Sequence, residues 1–157
     1  MTSALKKTDR LSLAVQYACE DRDLPSRPQL RRWIAAALSG EVESAGITVR
    51  FVTGDEGREL NREFRGRGDA AKNYATNVLS FPYSPAPQLS GDLVLCQEVV
   101  LREAAEQGKP VRHHLAHLLI HGMLHLQGYD HENGTDAEIM EARERLLLQR
   151  FRIPDPY

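Results

Sequence analysis

The alternation of hydrophobic and polar positions predicts four short strands along the chain. Apolar side chains at every second residue of 11–17 indicate a strand with one buried face, and GITVRFVTG repeats this alternation. NVLSFPY and GDLVLC are short apolar runs rich in β-forming residues. The segment SPAPQLS, which joins them, contains two prolines and is therefore predicted to be a loop.

Apolar residues at three- and four-residue spacing predict the helices, and capping residues indicate their ends. Asp55 is predicted to cap one helix, and Thr135 with Glu138 forms a capping-box pattern before the last helix. The segment 111–127 is apolar nearly all round apart from its histidines, which is typical of a buried helix. The predicted helices cover residues 29–38, 56–64, 98–107, 111–127 and, after Thr135, the chain up to about Arg150.

Strands that come in groups, rather than alternating regularly with helices, favour an α+β fold. We expect a single domain over residues 1–157, with a central four-stranded mixed sheet and about five surrounding helices. The early strand–helix–strand portion predicts a parallel pair of strands. A chain of 157 residues can bury a sufficient core without a disulfide or a structural metal.

The chain is not strongly basic, because its 20 Lys and Arg residues and 22 Asp and Glu residues give a net charge of −2. Any contact with nucleic acid must therefore come from a local patch. The segment 62–72 is the best candidate, and it includes Arg67 and Lys72. A solvated surface loop is the alternative interpretation of this segment.

The cysteines and the N-terminus favour a cytoplasmic protein. Cys19 and Cys96 lack CxxC spacing, and MTSALKKTDR contains no apolar stretch typical of a signal peptide. No run approaches the roughly 18 apolar residues of a transmembrane helix. We therefore expect no membrane partner.

All six histidines lie between His113 and His131. Those at 113, 117, 121 and 125 recur every fourth residue, so on a helix they form one stripe with about 6 Å of rise between neighbours. Four histidines so arranged cannot all bind one ion.

His121, His125 and His131 have the spacing of the zinc-peptidase pattern H-E-x-x-H-x-x-G-x-x-H. The first two lie one helical turn apart, and Gly128 can end the helix so that His131 returns toward them. Three ligands leave the fourth position of a tetrahedral zinc ion open for catalysis. We predict one Zn²⁺ per chain, although Gly122 stands where a peptidase carries its glutamate base.

The other polar residues near this motif have several interpretations. His117 could replace His125 as a ligand, orient a ligand or touch substrate, and a supporting role is preferred. Asp130 could accept a hydrogen bond from an imidazole or serve as a turn residue. His113 and His114 are predicted to be surface or capping residues.

HGMLHLQGYDH, preceded by AHLLI, resembles the YbeY family of bacterial single-strand-specific endoribonucleases, also described as ribosomal RNA maturation factors. NVLSFPY and GDLVLC share the resemblance, which covers the chain from about Ile47 onward. It implies a four-stranded sheet with surrounding helices and a zinc site in a cleft.

The resemblance also assigns zinc binding to His121, His125 and His131, and an important role to Arg65. It implies action at the 3′ end of the 16S ribosomal RNA precursor and in ribosome quality control. The implied partners are single-stranded RNA, small ribosomal subunit components and an assembly GTPase. The chain departs from the family pattern by a longer link, GRGDAAKNYATNV.

Phosphodiester cleavage requires a nucleophile and neutralisation of the phosphate charge, and zinc can supply both without a carboxylate base. Arg65 is expected to bind the scissile phosphate through its planar guanidinium. Arg67 and Lys72 are expected to attract the RNA backbone. Either water or the ribose 2′-hydroxyl could attack, and Gly122 would keep negative charge away from the phosphate.

Two alternatives compete with the endoribonuclease interpretation. A zinc peptidase has the histidine spacing but requires the glutamate that Gly122 replaces. A non-catalytic ribosome assembly factor could use zinc only for structure and the basic segment for RNA.

Overall fold

Four strands form one mixed sheet in the computed structural model, which describes residues 7–21, 23–65, 76–130 and 133–157. The spatial order is β1-β2-β4-β3. β1 pairs with β2 and β2 with β4 in parallel, whereas β3 and β4 are antiparallel. The strands are β1 (Leu11–Tyr17), β2 (Ser44–Val52), β3 (Val78–Ser84) and β4 (Gln88–Cys96). The predicted mixed sheet and its early parallel pair are confirmed.

Five α-helices accompany this sheet in the described part of the chain, as predicted. A short 3-10 helix, Lys7–Arg10, precedes β1, and a π-helical turn, Asn61–Arg65, continues the second α-helix. The α-helices are α1 (Arg27–Ala36), α2 (Gly54–Leu60), α3 (Gln97–Glu106), α4 (Val111–Leu126) and α5 (Gly134–Gln149).

α4 is the central helix of the fold. It packs against β3 and β4 of the sheet and also contacts α1, α3 and α5. Leu119, Ile120 and Met123 are completely buried, which agrees with the prediction from the nearly continuous apolar character of this segment. None of the helices in the described residues is long and apolar enough to span a membrane.

β4 is buried on both faces. Leu93 and Leu95 join the main core that includes α4, while Val94 and Cys96 point to a second, smaller cluster. Because successive side chains of a strand point to opposite faces, a strand covered on both sides is apolar without alternation. GDLVLC therefore lacks the two-residue period found at residues 11–17.

Two predicted helix starts and one predicted loop were wrong in detail. Thr53, not Asp55, caps α2, since its hydroxyl accepts a hydrogen bond from the Glu56 amide at 3.2 Å. Asn133, not Thr135, caps α5 by accepting from the Asp136 amide at 2.9 Å. Each segment offers several good capping residues, and the incoming chain decides which one has the required extended backbone.

SPAPQLS is mostly strand, because β3 extends to Ser84 and β4 begins at Gln88. The Ser84 hydroxyl donates to the Gln88 carbonyl oxygen at 2.7 Å and helps to pair the two ends. Only residues 85–87, which contain both prolines, form the turn between these strands.

Candidate metal centre

A cleft of about 770 Å³ lies between α4 and β3. His117, His121 and His125 of α4 line one side, and residues 76–82 line the other. Phe64 and the last residue, Tyr157, complete its lining. Three of the four histidines of the predicted stripe therefore face a cleft beside the sheet.

His121 and His125 approach each other through their Nε2 atoms, which are 3.0 Å apart. Nδ1 of His125 donates to the Tyr129 carbonyl oxygen at 3.0 Å, and Nδ1 of His121 donates to Glu144 Oε1 at 2.5 Å. Because both acceptors require a proton on Nδ1, each neutral ring has its lone pair on Nε2. Two such nitrogens at this distance can share a cation, either a proton or a metal ion.

This donor arrangement fits a divalent metal. Neutral imidazole nitrogens are common zinc ligands, and a ligating histidine typically donates its other ring N–H to a carboxylate or a carbonyl. Both features are present at His121 and His125. His117, His121 and Glu144 also form a group that could hold a metal ion, with ligand atoms within 4.8 Å of one another.

Gly128 ends α4 in the left-handed conformation predicted for it, with φ of 97°. The Gly128 amide donates to the His125 carbonyl oxygen, and the Tyr129 amide donates to the Leu124 carbonyl oxygen, both at 3.0 Å. The same turn brings the Tyr129 carbonyl oxygen to the His125 ring. His131, the third predicted ligand, lies outside the described residues.

Glu144 of α5 is completely buried beneath the cleft histidines. Its Oε2 accepts from His117 Nε2 at 3.0 Å and from the Tyr157 hydroxyl, while its Oε1 accepts from His121. Burial raises the pKa of this carboxyl, but the hydrogen bonds from His117, His121 and Tyr157 outweigh it and lower the pKa to about 2. Glu144 is therefore an anion held by three donors.

The sequence prediction missed both Glu144 and Tyr157. A signal for Glu144 was present, because Met140, Glu144, Leu147 and Leu148 follow the spacing of a buried helical stripe. A carboxylate on such a stripe must find polar partners. The sequence contains no comparable signal for Tyr157.

The family model for the endoribonuclease YbeY matches residues 14–152. This chain belongs to the YbeY family. It is 56% identical over 149 residues to the endoribonuclease YbeY of Thiobacillus denitrificans, covering 94% of this chain and 96% of the relative. It is 52% identical over 153 residues to that of Aromatoleum aromaticum, covering 96% and 94%.

The solution structure of TM1509 from Thermotoga maritima has a similar fold, with a TM-score of 0.58 and 26% sequence identity. The similarity covers 88% of this chain and 91% of that protein. Membership in the YbeY family confirms the predicted resemblance and the predicted enzyme class, an endoribonuclease.

Of the three basic residues that we predicted to contact RNA in this YbeY chain, the structure describes only the main chain of Arg65. Arg65 ends the π-helical turn directly after Phe64, which lines the cleft. The Arg65 side chain, Arg67 and Lys72 lie outside the described residues. Their roles therefore stay predictions.

Asp130 is partly exposed and lines a small depression with Gln127, Gly128 and Tyr129 at the end of α4. The acceptor at Nδ1 of the neighbouring His125 is the Tyr129 carbonyl oxygen. The supporting role predicted for Asp130 stays a prediction.

His114 is not a surface or capping residue, contrary to the prediction. Only 3% of it is exposed, and its Nε2 lies 2.9 Å from Glu103 Oε1. Asn77, at the edge of the cleft, donates to the same carboxylate oxygen at 3.0 Å. His114 is buried because α4 packs against α3, and its ring points into the protein beside the histidine stripe. His113 is partly buried.

Gly122 lies on the side of α4 that packs closely against the sheet. A Cβ atom at this position would lie 2.8 Å from Leu93 Cδ2 and 3.2 Å from Ser80 Oγ. A glutamate at this position would therefore require the buried Leu93 side chain to shift. Packing of α4 against β3 and β4 offers a steric reason for this glycine, and the predicted electrostatic role of Gly122 stays a prediction.

Proposed function

We propose that this YbeY protein is a zinc-dependent, single-strand-specific endoribonuclease that matures the 3′ end of 16S ribosomal RNA and acts in ribosome quality control. The observation that carries the metal-dependent part is the 3.0 Å approach of the Nε2 atoms of His121 and His125 inside a cleft. His131, which follows Gly128, is the proposed third ligand, giving one Zn²⁺ per chain. The single domain is proposed to cover residues 1–157.

A zinc ion held by His121 and His125, with His131 as the proposed third ligand, would supply Lewis-acid chemistry, since it would neutralise phosphate charge and lower the pKa of bound water. The protein itself orients the imidazole rings that would bind the ion. His121 and His125 are each held by a hydrogen bond at Nδ1, so their ring orientation is set before a substrate enters. His117 has a supporting role, because its Nε2 donates to Glu144.

Arg65 is proposed to bind the scissile phosphate. Its main chain lies next to Phe64 at the cleft, and a guanidinium remains charged while it binds two phosphate oxygens. Arg67 and Lys72 are proposed to bind the RNA backbone less specifically. Asp130 is proposed to accept a hydrogen bond from a ligating imidazole, with a role as a turn residue as the alternative.

Exposed aromatic side chains support the preference for single strands. Phe64 is 60% exposed and Tyr157 is 54% exposed, and both line the cleft. The Phe64 ring also packs edge-on against Phe81, with the ring centroids 5.2 Å apart. Unpaired bases can stack on such rings, whereas the bases of a duplex are already stacked on each other.

The ribosomal substrate and partners come from the family resemblance. We propose precursor 16S ribosomal RNA as substrate in the cytoplasm, with small ribosomal subunit components and an assembly GTPase as partners. A non-catalytic, zinc-stabilised assembly factor is the competing interpretation.

Purified wild-type protein, His125→Ala and His113→Ala would test the enzymatic proposal. His113 lies on the same helix and is not among the residues that line the cleft, so His113→Ala controls for a general effect on α4. Zinc content is measured together with cleavage of one end-labelled RNA, both single-stranded and annealed to its complement. We expect zinc-loaded wild type and His113→Ala to cleave the single strand, and His125→Ala to lose zinc and activity.

Cleavage by His125→Ala at the wild-type rate would contradict this metal centre. In cells, His125→Ala should accumulate 16S precursor with unprocessed 3′ ends. Normal processing by a folded, ribosome-associated His125→Ala protein would instead support the non-catalytic assembly factor.

A further inference from the structure

The buried carboxylate of Glu144 connects the cleft histidines to the last residue of the chain. Oε1 accepts from His121, whereas Oε2 accepts from both His117 and Tyr157. A buried anion is stable only when hydrogen bonds replace its lost hydration, and these three donors meet that requirement. The site therefore includes residues from α4, α5 and the C-terminal segment.

We propose that Glu144 is a positioning residue for His121, and that Tyr157 holds Glu144 in place for this task. The inference rests on the proposed metal centre, in which Nε2 of His121 is a ligand. It assigns a role to Tyr157 that depends on its hydroxyl group.

The tautomer of His121 supports the first part of this proposal. An ionised carboxylate only accepts hydrogen bonds, so Glu144 requires the proton of His121 to be on Nδ1. Nε2 is then the nitrogen with the lone pair, and it is the atom that approaches His125. A charged acceptor also increases the electron density of the ring more than a neutral one does, so His121 becomes the stronger ligand of the pair.

The distances distinguish this role from direct binding of the metal by Glu144. Two ligand atoms with zinc bonds of about 2.0–2.1 Å lie about 3.3 Å apart in a tetrahedral site. The two Nε2 atoms of His121 and His125, at 3.0 Å, are close to this separation. Glu144 Oε1 and His121 Nδ1, at 2.5 Å, are too close for two ligands of one ion, and Oε1 instead accepts a short hydrogen bond from this ring nitrogen.

Several contacts fix Tyr157 although its side chain remains half exposed. Its amide donates to Asp155 Oδ1 at 2.9 Å, and Asp155 Oδ2 accepts from Arg145 Nε at the same distance. The Arg145 guanidinium lies 5.3 Å from the centroid of the Tyr157 ring, and the ring meets His117 edge-on at 5.4 Å. These contacts bring the hydroxyl to Glu144 without requiring the ring to be buried in the core.

The hydroxyl of Tyr157 stays protonated and donates its hydrogen bond to Glu144. Burial, followed by the hydrogen bond to Glu144 and the charge of that carboxylate, raises its pKa well above the usual range. Without this hydroxyl, Glu144 Oε2 keeps only the hydrogen bond from His117. The Glu144 carboxylate, which orients His121, is then held less firmly. The loss should therefore appear as weaker metal binding, even though Tyr157 itself is not a ligand.

The test measures zinc affinity of the full chain by competition with a chromophoric chelator, using wild type, Glu144→Gln and Tyr157→Phe, with His121→Ala as the reference for loss of a ligand. Tyr83→Phe is the matched control, because the Tyr83 hydroxyl also donates to a carboxylate, Asp92, at 2.7 Å. Tyr83 is exposed and is not among the residues that line the cleft. Thermal unfolding without metal controls for folding, and cobalt absorption spectra report the ligand set.

We expect Glu144→Gln to weaken zinc binding about 10- to 100-fold, the usual effect of losing a residue that orients a metal ligand. Tyr157→Phe should weaken it about 2- to 10-fold, the range for one hydrogen bond, and Tyr83→Phe should have no effect. The cobalt spectrum of Tyr157→Phe should retain the wild-type ligand set. The unfolding temperature of metal-free Tyr157→Phe should stay close to that of wild type.

Wild-type affinity in both Glu144→Gln and Tyr157→Phe would overturn the proposal. It would also be overturned if Glu144→Gln changed the cobalt ligand set as His121→Ala does, since Glu144 would then be a ligand. If Glu144→Gln does not fold, the zinc affinity of Tyr157→Phe alone tests the proposal, and wild-type affinity in that variant would overturn it. Wild type that binds no zinc would contradict the proposed metal centre itself, whereas a zinc-dependent nuclease with unaffected variants would contradict only the positioning role.

Discussion

His121 and His125 lie one turn apart on α4, and their Nε2 atoms are 3.0 Å from each other. The Nδ1 atom of each ring is bonded to an acceptor, Glu144 in one case and the Tyr129 carbonyl oxygen in the other. The protein thus holds two ring nitrogens at a distance at which they can share one cation. Metal binding should therefore be coupled to stability.

Zinc should raise the thermal unfolding temperature of the wild-type chain, because a ligand that binds only the native state stabilises it. At free zinc about 100 times the dissociation constant, the gain in the free energy of unfolding is about 2.7 kcal/mol. A chelator should reverse the shift. His125→Ala should lose the shift and His113→Ala should keep it, as measured by calorimetry. An equal zinc-induced shift in His125→Ala would place the ion elsewhere.

Gly122→Ala should destabilise the protein by about 1–3 kcal/mol, the usual cost of overpacking a core. The added methyl group would lie 2.8 Å from Leu93 Cδ2, so the buried Leu93 side chain or α4 itself would have to shift. Gly134→Ala is the control, since nothing lies within 4 Å of its added Cβ. Urea unfolding compares the two variants. Equal stability would show that the helix and sheet can separate at little cost.

Phe64→Ala should weaken binding of unpaired RNA by about 1–3 kcal/mol, the range for one stacked base. The wild-type ring is 60% exposed and lines the cleft, so its loss should affect the fold only slightly. Tyr83→Ala removes a similarly exposed aromatic ring that is not among the cleft-lining residues. Fluorescence anisotropy with a labelled, unstructured RNA measures both. Equal losses in the two variants would contradict a specific stacking site.

Arg65→Ala should abolish cleavage and leave the zinc content unchanged, because the guanidinium is proposed to bind the phosphate and not the metal. Arg62→Ala is the control, since Arg62 pairs with Glu63 at 3.4 Å on the same turn. Substituting Arg67 or Lys72 should weaken RNA binding and reduce its dependence on salt. Retained cleavage by Arg65→Ala would exclude its proposed role.

His114 should make the metal-free protein less stable in mild acid. Burial lowers its pKa from 6.5, and this effect exceeds the opposing hydrogen bond to Glu103. As the pH falls below about 6.5, the unfolded chain binds a proton before the native His114 does, so stability present above that pH is lost. His114→Gln should show a smaller loss in urea unfolding between pH 7 and pH 5. The same pH dependence in both proteins would exclude His114 as its source.

Local periodicity determined much of this fold. The strand at residues 11–17 and the buried helix around residues 111–127 follow from apolar spacing, which depends only on the geometry of one strand or one helix. The cap of α5 was less predictable, because Asn133 and Thr135 are both good capping residues two positions apart. The path of the preceding chain selects between them.

The sequence alone determined that His121 and His125 would lie on one face of a helix and that Gly128 would end it. These relationships span a single helical turn and the residues directly after it. Only the tertiary structure decided what holds the two rings. Glu144, 23 residues beyond His121, reaches the site because α5 packs against α4, and Tyr157 reaches it from the end of the chain. Such contacts depend on how helices pack, which hydrophobic spacing within one segment does not specify.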